Sequence, residues 1–253
     1  MTALAPGSRI AGIGAYTPER VLTNFDLEKL VDTSDQWISE RTGIKERRIA
    51  ADGENASDMA WRAAQRALDR AGLKPSDLDM IIVATVSGDM PMPACAAFVQ
   101  HKLSVTNIPA FDVSAACAGF LYGISIADQF IRTGMNKAVL VIGVELLSRL
   151  LDWSDRATCV LFGDGAGAVV LVPASPDRRG VLSTKLYTDS ALRGSLCIPG
   201  GGTAEPVTAS TLDNRRNKVK MVGADIFKIA VRNLTSAARS ALSEAGLSTA
   251  EVD

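Results

Sequence analysis

One sequence pattern occurs twice in this chain, with Gly72 and Gly246 at equivalent positions 174 residues apart (246 − 72). The segments RALDRAGLKPSDLD at 66–79 and RSALSEAGLSTAEVD at 239–253 each predict a helix that ends at Ala-Gly-Leu, then a short polar spacer and a final aspartate. Such self-similarity indicates a duplicated structural unit. Any fold assigned to this chain must therefore contain two related parts.

The strand that follows the first copy has no counterpart after the second. MIIVAT, directly after Asp79, is dense in Ile and Val and predicts a strand that is buried on both faces. The second copy reaches Asp253, where the equivalent strand would begin. A chain cut there would leave an open sheet edge and uncovered apolar surface. We therefore expect this sequence to be truncated inside its second half.

The composition is typical of a soluble globular protein with one or two domains. Hydrophobic residues make up 47% of the 253 residues and aromatic residues only 5%, which favours a large core of Ala, Val, Leu and Ile. The start MTALAPGSRI lacks a signal-peptide pattern and no apolar run could cross a bilayer, so we expect a cytoplasmic protein with no membrane partner. A net charge of −1 gives no support to nucleic-acid binding. The four cysteines lack the spacing of a disulfide framework or a zinc site, so we expect no metal.

The apolar pattern alternates strands with helices and predicts a sheet that is covered on both sides. Strands are predicted in RIAGIG, MIIVAT, PAFDV, AVLVIGVE, TCVLF and AVVLV, with a tight turn at GDGAG between the last two. Helices are predicted in SDQWISERTG between Ser34 and Gly43, in SDMAWRAAQRALDRAG from a Ser57 cap to Gly72, in PACAAFVQHKL opened by Pro93, and from Cys117 to Gly134. The segment 173–220 predicts loops around one strand near VLSTKLY, and Gly223 to Ala245 form a last helix.

Cys117, in FDVSAACAGF, is a candidate catalytic nucleophile. It lies where an apolar strand gives way to an amphipathic helix, and the unpaired N–H groups of a helix N-terminus favour a thiolate. The small residues around it leave room for a carbonyl carbon to reach the sulfur. A buried structural cysteine is the other interpretation, and the local pattern leaves both open.

A base to pair with this thiol is scarce, because His101 is the one histidine of the chain. His101 shares a predicted helix face with Ala94, Ala97 and Phe98, which indicates a partly buried packing residue. Either Cys117 works without imidazole, or its partner lies beyond this sequence.

Trp37 and Arg41 are four residues apart on a predicted helix and therefore share a face. An aromatic plate beside a cation suits a purine with a phosphate. The alternative is a core-facing tryptophan with solvated arginines, and the residues alone favour it.

Four motifs in order carry a resemblance to one family. SDQWISERTGIKERR at 34–48, DVSAACAGF around Cys117, DRATCVLFGDGAGAVVL at 155–171 and GADIFKIAV at 223–231 together resemble β-ketoacyl-acyl-carrier-protein synthase III, of the thiolase superfamily. The resemblance implies an α/β, thiolase-like layered αβαβα fold and a homodimer that starts fatty-acid synthesis. It implies a complete N-terminal half with the nucleophile at 1–172 and the start of an incomplete C-terminal half at 173–253.

The chemistry implied by the resemblance begins with attack of Cys117 on a short acyl-CoA, which is a substrate rather than a permanently bound cofactor. Malonyl carried on acyl carrier protein then loses CO2 and condenses with the acyl group to give a 3-oxoacyl carrier protein. In the family a His and an Asn stabilise the enolate formed on decarboxylation, and both would follow Asp253. We therefore expect this chain to accept an acyl group without condensing it.

The resemblance also implies binding roles for individual residues. Trp37 and Arg156 would sandwich the adenine of coenzyme A, while Arg41 and Thr42 hold its nucleotide end. The pantetheine and acyl channel would be lined by Met92, Leu161, Phe162, Met221, Gly223 and Phe227, with Met92 reaching across the dimer interface to the other subunit's pocket. Lys228 would lie on the surface that receives the acyl carrier protein, near a basic run of Arg215, Arg216 and Lys218.

Two other functions fit the sequence. One is a related thiolase-fold acyltransferase or synthase of secondary metabolism, and the other is a non-catalytic remnant that binds coenzyme A without turnover. Comparing malonyl-CoA with malonyl carrier protein as substrates would identify the first. Acetylation of the protein by acetyl-CoA would exclude the second.

Overall fold

The computed structural model describes residues 7–175 and 179–252. In chain order, strands β1 to β9 span Ser8–Tyr16, Arg20–Thr23, Glu46–Ile49, Met80–Ala84, Ala110–Val113, Val139–Leu146, Asp164–Pro173, Leu196–Cys197 and Lys220–Met221. Helices α1 to α8 span Asn24–Leu27, Asp35–Thr42, Ala56–Ala71, Cys95–Lys102, Gly119–Arg132, Arg156–Cys159, Ala209–Asp213 and Gly223–Ala245.

The main sheet has five strands in the order β1-β7-β6-β4-β5. The central strand β4 runs parallel to both β5 and β6, whereas β7 runs antiparallel to β6 and to β1. Two short antiparallel ribbons, β2–β3 and β8–β9, lie outside this sheet. The carboxyl ends of β4, β5 and β6 therefore meet at one edge, which is where ligand sites of parallel sheets form.

Helices cover the sheet on both faces, as its continuous apolar strands predict. Alternate side chains of β4 pack on opposite faces of the sheet. Ile81 and Val83 pack in the cluster formed with α3 and α4, whereas Met80 and Ile82 pack with α5. Every residue of β4 is buried. Full burial of an Ile, Val or Met side chain contributes about 1.5–3 kcal/mol to the free energy of unfolding, so this strand stabilises both cores.

Helix α5 lies very close to the sheet because two of its residues are glycines. A Cβ at Gly123 would lie 2.8 Å from Val141 Cγ1, and a Cβ at Gly119 would lie 3.0 Å from the Ala84 Cβ. Real Cβ atoms do not pack that closely on a helix–sheet contact without a shift of one partner. The position of the start of α5 is therefore fixed by the side chains of Ala84 on β4 and Val141 on β6.

A third, smaller core lies beneath helix α2. Leu27, Ile38, Ile49 and Val160 are buried there, and Trp37 packs against them while half-buried. This cluster joins α1, α2, the β2–β3 ribbon and α6, so it brings the segments around Trp37 and Arg156 into one unit.

The two copies of the repeated sequence share their local structure. After α3 the amide of Leu73 donates to the carbonyl of Leu68, and after α8 the amide of Leu247 donates in the same way to Leu242. Each helix is followed by a three-residue 3-10 turn, Pro75–Asp77 and Thr249–Glu251. Asp253 lies outside the described residues, and the division of the chain at 172 and 173 stays a prediction.

The prediction of a strand at TCVLF and a turn at GDGAG is wrong. Residues 156–159 form α6, because the Asp155 carboxylate caps it by accepting hydrogen bonds from Ala157 N at 3.0 Å and Thr158 Oγ1 at 2.9 Å. The following glycine-rich residues belong to β7 instead of a turn. The Asp164 carboxylate holds the extended start of β7 by accepting from the Ser148 amide at 2.8 Å.

Two predicted helix starts are also displaced. Helix α3 has Asn55 as its N-cap, since the Ser57 hydroxyl donates to Asp89 Oδ2 at 2.6 Å instead of capping. Helix α4 begins at Cys95, two residues after Pro93. There the carboxylate of Asp112 accepts from the amides of Cys95 at 2.6 Å and Ala96 at 2.8 Å and so supplies the cap from a distant strand.

The predicted strand at VLSTKLY does not form in the described residues 181–187. This segment lies instead between α5 and α8. Its Ser183 hydroxyl donates to the Ala241 carbonyl at 2.7 Å, and Thr184 and Ser125 share a 3.0 Å hydroxyl contact. Residues 176–178 of the predicted loop lie outside the described residues, whereas the helix predicted from Gly223 to Ala245 is confirmed as α8.

Candidate active site

Cys117 lies in a short 3-10 turn, Ala116–Ala118, between the end of β5 and the start of α5. The predicted helix therefore begins at Gly119 rather than at the cysteine itself. The side chain of Cys117 is exposed, whereas Cys95 and Cys159 are buried and Cys197 is half-buried. The interpretation of Cys117 as a sealed structural cysteine is wrong.

The turn that carries the thiol has an unusual backbone. Ala116 adopts a left-handed conformation with φ at 45°, which costs an alanine roughly 1–2 kcal/mol. Such a conformation persists only where the surroundings enforce it, and it often marks a functional site. The residues that follow the turn pack closely on the sheet: Gly119 packs on Ala84, and Phe120 lies over Gly143, whose Cβ would be 3.3 Å from Phe120 Cδ2.

A half-buried carboxylate on β6, that of Glu145, was missed in the sequence. Glu145 follows Gly143 by two residues on β6 and so shares its sheet face. It accepts hydrogen bonds from the amide of Val86 at 3.1 Å and from the Ser87 hydroxyl. Burial raises the pKa of Glu145 above its ordinary value, although these two hydrogen bonds oppose the shift.

Trp37 on α2 contacts both of the predicted coenzyme-binding arginines. The Arg41 Cζ lies 5.0 Å from the centroid of the Trp37 ring, and the Arg156 Cζ lies 4.8 Å from it. Arg156 Nη1 also donates to the Asp32 carbonyl at 2.8 Å. These distances are typical of cation–π contacts. The structure thus brings Trp37, Arg41 and Arg156 together, with Trp37 half-buried and both arginines exposed.

Thr42 lies in the last turn of α2, close to Arg41. Its hydroxyl donates to the Ile38 carbonyl at 2.7 Å and accepts from the Ile44 amide at 3.0 Å. The hydroxyl proton is therefore used inside the protein, and one lone pair is left for a further donor. Its role in holding the nucleotide stays a prediction.

A buried cation beneath this cluster was also not predicted from the sequence. Arg47 on β3 is only 4% exposed. Its Nε donates to the Val160 carbonyl at 3.2 Å, Nη2 donates to the same oxygen, and Nη1 donates to Asn24 Oδ1. The one sequence signal is the strand alternation that places Arg47 on the same face as the buried Ile49.

The predicted channel residues fall into two groups that approach each other, with Met92 apart. Leu161 and Phe162 are half-buried between α6 and β7. Met221, Gly223 and Phe227 lie at the end of β9 and the start of α8, where Met221 Cε would be 3.2 Å from a Cβ at Gly223. Strand β9 contacts α6, and Phe227 is 68% exposed. Met92 is 83% exposed in the loop between β4 and α4.

Lys228 is exposed beside Phe227 at the start of α8. The basic run nearby is less available than its sequence suggests. Arg216 forms a two-point pair with Glu205, at 2.8 and 2.7 Å, and Lys218 Nζ donates to the Arg149 carbonyl at 2.8 Å. Arg215 pairs with Asp152. These three cations hold the 205–218 segment together.

Asp152 links that segment to the turn before α6. Its carboxylate accepts hydrogen bonds from the Ser154 hydroxyl at 2.6 Å and from Arg215, and Lys220 Nζ lies 3.7 Å away. Burial alone would raise the pKa of Asp152, but the bonds from Ser154 and the charge of Arg215 outweigh it and leave the pKa below its ordinary value.

His101 is exposed on α4, so its predicted role as a partly buried packing residue is wrong. No helix within residues 7–175 and 179–252 is both long and apolar enough to span a bilayer. In that same part of the chain, no cluster of three or more His, Cys, Asp or Glu side chains is arranged to hold a metal ion.

Comparison with known proteins gives one consistent result. A family model described as 3-oxoacyl-[acyl-carrier-protein] synthase III matches residues 111–190. The β-ketoacyl-[acyl-carrier-protein] synthase III of Caldanaerobacter subterraneus subsp. tengcongensis is 50% identical over 244 residues, which cover 96% of this chain and 73% of the relative. The protein of the same name from Symbiobacterium thermophilum is 51% identical over 244 residues, covering 96% and 74% of the two chains.

Solved structures agree with the sequence comparisons. The 3-oxoacyl-[acyl-carrier-protein] synthase III of Aquifex aeolicus VF5 is 46% identical, with a TM-score of 0.86 over 97% of this chain and 74% of that one. The Pseudomonas aeruginosa PAO1 protein of the same name is 36% identical, with a TM-score of 0.87 and coverage of 98% and 74%. The predicted thiolase-like α/β fold is therefore confirmed. The expected truncation of the second half stays a prediction.

Proposed function

The chain belongs to the β-ketoacyl-acyl-carrier-protein synthase III family, and from that membership we propose that it acts in the condensation that starts fatty-acid synthesis. A short acyl-CoA acylates Cys117, and malonyl-acyl carrier protein then receives the acyl group with loss of CO2. The observation that carries the proposal is the exposed thiol of Cys117 in the turn that precedes α5.

The first step is a thioester exchange at Cys117. The cysteine sulfur attacks the acyl carbonyl carbon, the bond from that carbon to the coenzyme A sulfur breaks, and the thiol proton leaves with coenzyme A. The N-terminus of α5 directly follows the turn, and a helix N-terminus stabilises a nearby anion by about 0.3–1 kcal/mol. The exposed position supports access for a thioester of pantetheine length.

Coenzyme A is proposed to bind through its adenine at Trp37. The 4.8 Å between Arg156 Cζ and the Trp37 ring is too short for a base to enter, because two stacking contacts of about 3.5 Å each need roughly 7 Å. Arg156 therefore moves outward on binding and gives up its contact with the Asp32 carbonyl. Arg41 and Thr42 would then meet the phosphates at the end of α2.

The second step needs groups that stabilise an enolate. The resemblance implies a His and an Asn for this purpose, and a donor of this kind is worth about 3 kcal/mol in the transition state. We propose that Cys117 carries out the acylation, while condensation depends on those donors. Lys228 is proposed to receive the acidic carrier protein, and Met92 to close the acyl pocket of a second subunit in a homodimer.

Mass spectrometry of the intact protein tests the acylation step. Incubation with acetyl-CoA is expected to add one acetyl group to the wild-type protein and none to Cys117→Ser. The matched control is Cys197→Ser, because Cys197 is a half-buried cysteine outside the proposed site and its loss should leave the adduct in place. An acetyl adduct that persists in Cys117→Ser would remove Cys117 from the proposed role.

The condensation step is tested on the isolated acetylated protein. In a chain that carries the family's His and Asn, malonyl-acyl carrier protein is expected to remove the acetyl group from Cys117 and give 3-oxoacyl carrier protein. Retention of the acetyl group on Cys117 in such a chain would contradict the proposed condensation. Turnover with malonyl-CoA but not with malonyl carrier protein would instead favour a synthase of secondary metabolism.

A further inference from the structure

The buried guanidinium of Arg47 is costly to keep and has no part in the proposed acyl transfer. Its hydrogen-bond partners are two neutral groups, the Val160 carbonyl and the Asn24 amide oxygen. Burial lowers the pKa of Arg47, which reflects the cost of holding a cation away from water. Apolar side chains often replace buried charges without loss of stability, so fold stability alone is a poor reason for an arginine here.

On one side, Arg47 is connected to helix α2 through Asn24. Asn24 is fully buried. Its Nδ2 donates to Asp35 Oδ1 at 2.8 Å, in the first residue of α2, and to the Ile44 carbonyl at 2.8 Å, two residues after the helix ends. The side-chain nitrogen of Asn24 therefore holds both ends of the helix that carries Trp37. Arg47 holds the side-chain oxygen of the same residue.

On the other side, Arg47 is connected to helix α6. Val160 is the C-cap of α6, and its carbonyl accepts from both Nε and Nη2 of Arg47. Arg156 is the first residue of the same four-residue helix. A displacement of the Val160 carbonyl therefore moves Arg156 with it, because one short helix connects them rigidly.

We propose that Arg47, acting with Asn24, is a positioning residue that sets the separation of Trp37 and Arg156 and thereby the affinity for the adenine nucleotide of coenzyme A. The inference rests on the proposed function, since it concerns the coenzyme site of that reaction. Trp37 and Arg156 come from segments far apart in the chain. Arg47 hydrogen-bonds to Asn24, which holds the helix of Trp37, and to the C-cap of the helix of Arg156. Small losses of alignment weaken a stacked site strongly.

The test compares two thioesters that differ only in the nucleotide. Acetyl-CoA carries the adenine nucleotide, whereas acetyl-pantetheine lacks it, and both can acetylate Cys117. The variants are Arg47→Met, which keeps length without charge, and Arg47→Lys, which keeps charge with fewer donors. The control is Arg48→Met, because the adjacent Arg48 is 39% exposed at its side chain and pairs with Glu46.

Arg47→Met is expected to weaken coenzyme A binding, measured by calorimetry, by about tenfold or more, equivalent to ~1.4 kcal/mol. Acetylation by subsaturating acetyl-CoA should slow by the same factor, while the rate with acetyl-pantetheine stays within about twofold. Arg47→Lys should lie between Arg47→Met and wild type, and Arg48→Met should match wild type. This selective loss is a result that a merely structural role would not produce.

An equal loss with both thioesters, or no loss with either, would overturn the inference. If Arg47→Met does not fold, as judged by its melting curve, Arg47→Lys carries the same comparison. Failure of the proposed function is seen separately, because the wild-type protein would then accept no acetyl group on Cys117 from either thioester.

Discussion

Gly72 and Gly246 end their helices in the same left-handed backbone conformation, with φ of 68° and 72°. Both glycines have open space where a Cβ would be, with no atom within 4 Å. Glycine is therefore needed at each position for the backbone conformation and not for close packing. The repeated sequence therefore encodes the same glycine-terminated helix end twice.

Replacing either glycine by alanine should cost the same amount. Gly72→Ala and Gly246→Ala are each expected to lower the free energy of unfolding by about 1 kcal/mol, measured by urea titration. Gly167→Ala is the control, because its Cβ also meets no atom but its φ is not left-handed. An equal loss in Gly167→Ala would show that glycine conformation is not the cause.

The elements predicted correctly are those whose ends are set by local residues. Gly43, Gly72 and Gly246 each end a helix by adopting a positive φ, and a glycine after an apolar helical pattern announces this in the sequence. The starts of α3 and α4 were misplaced because they depend on carboxylates that are distant along the chain. Asp89 and Asp112 reach the starts of α3 and α4 only after folding, so no local pattern contains that information.

In the candidate site, too, the contact set by local spacing was predictable from the residues, whereas the contacts set by packing were not. Trp37 and Arg41 are one helical turn apart, and their contact follows from spacing alone. The contact of Trp37 with Arg156 depends on the packing of α2 against α6, and the sequence suggested it only through the resemblance. Arg47 escaped prediction because arginine is rarely buried, and its charge conceals a core position.

Close packing of α5 on the sheet should couple Gly123 to Val141. Gly123→Ala is expected to destabilise the protein by about 1–3 kcal/mol, because the new Cβ would lie 2.8 Å from Val141 Cγ1. It should also slow acetylation of Cys117, since α5 positions the preceding turn. Val141→Ala makes room for the new methyl group, so the double variant should be more stable than the sum of the single effects by about 1 kcal/mol.

The matched control for this coupling is Val83→Ala, on the opposite face of the sheet. Combined with Gly123→Ala, it is expected to give additive losses in the free energy of unfolding. Additive losses for Gly123→Ala with Val141→Ala as well would contradict the proposed contact.

Trp37 should be needed for the nucleotide part of coenzyme A. Trp37→Ala is expected to raise the dissociation constant for 3′,5′-adenosine bisphosphate about tenfold, because one stacking face and one cation–π partner are lost. Calorimetry measures the change directly. Trp153→Phe is the control, since the Trp153 indole donates to the Ser148 carbonyl at 3.1 Å and contacts neither Arg41 nor Arg156 through its ring. A similar loss in Trp153→Phe would mean that the effect comes from the shared core.

Asp152 should make the stability of the protein sensitive to acid. Its pKa lies below the ordinary value of 3.8 because the bonds from Ser154 and Arg215 outweigh burial. A carboxylate of this kind contributes stability above its unfolded pKa and loses it as the pH falls through the lower folded pKa. Asp152→Asn is therefore expected to lower the free energy of unfolding by about 2 kcal/mol at neutral pH.

The difference between Asp152→Asn and wild type should shrink as the pH is lowered below about 4, where the Asp152 carboxylate of the unfolded chain begins to take up a proton while that of the folded protein stays charged. Urea titrations at a series of pH values measure this convergence. Asp213→Asn, at an exposed aspartate in α7, is the control and should stay close to wild type throughout. A difference for Asp152→Asn that stays constant down to the acid limit would show that Arg215 and Ser154 do not stabilise the charged form, because loss of a packing contact alone is independent of pH.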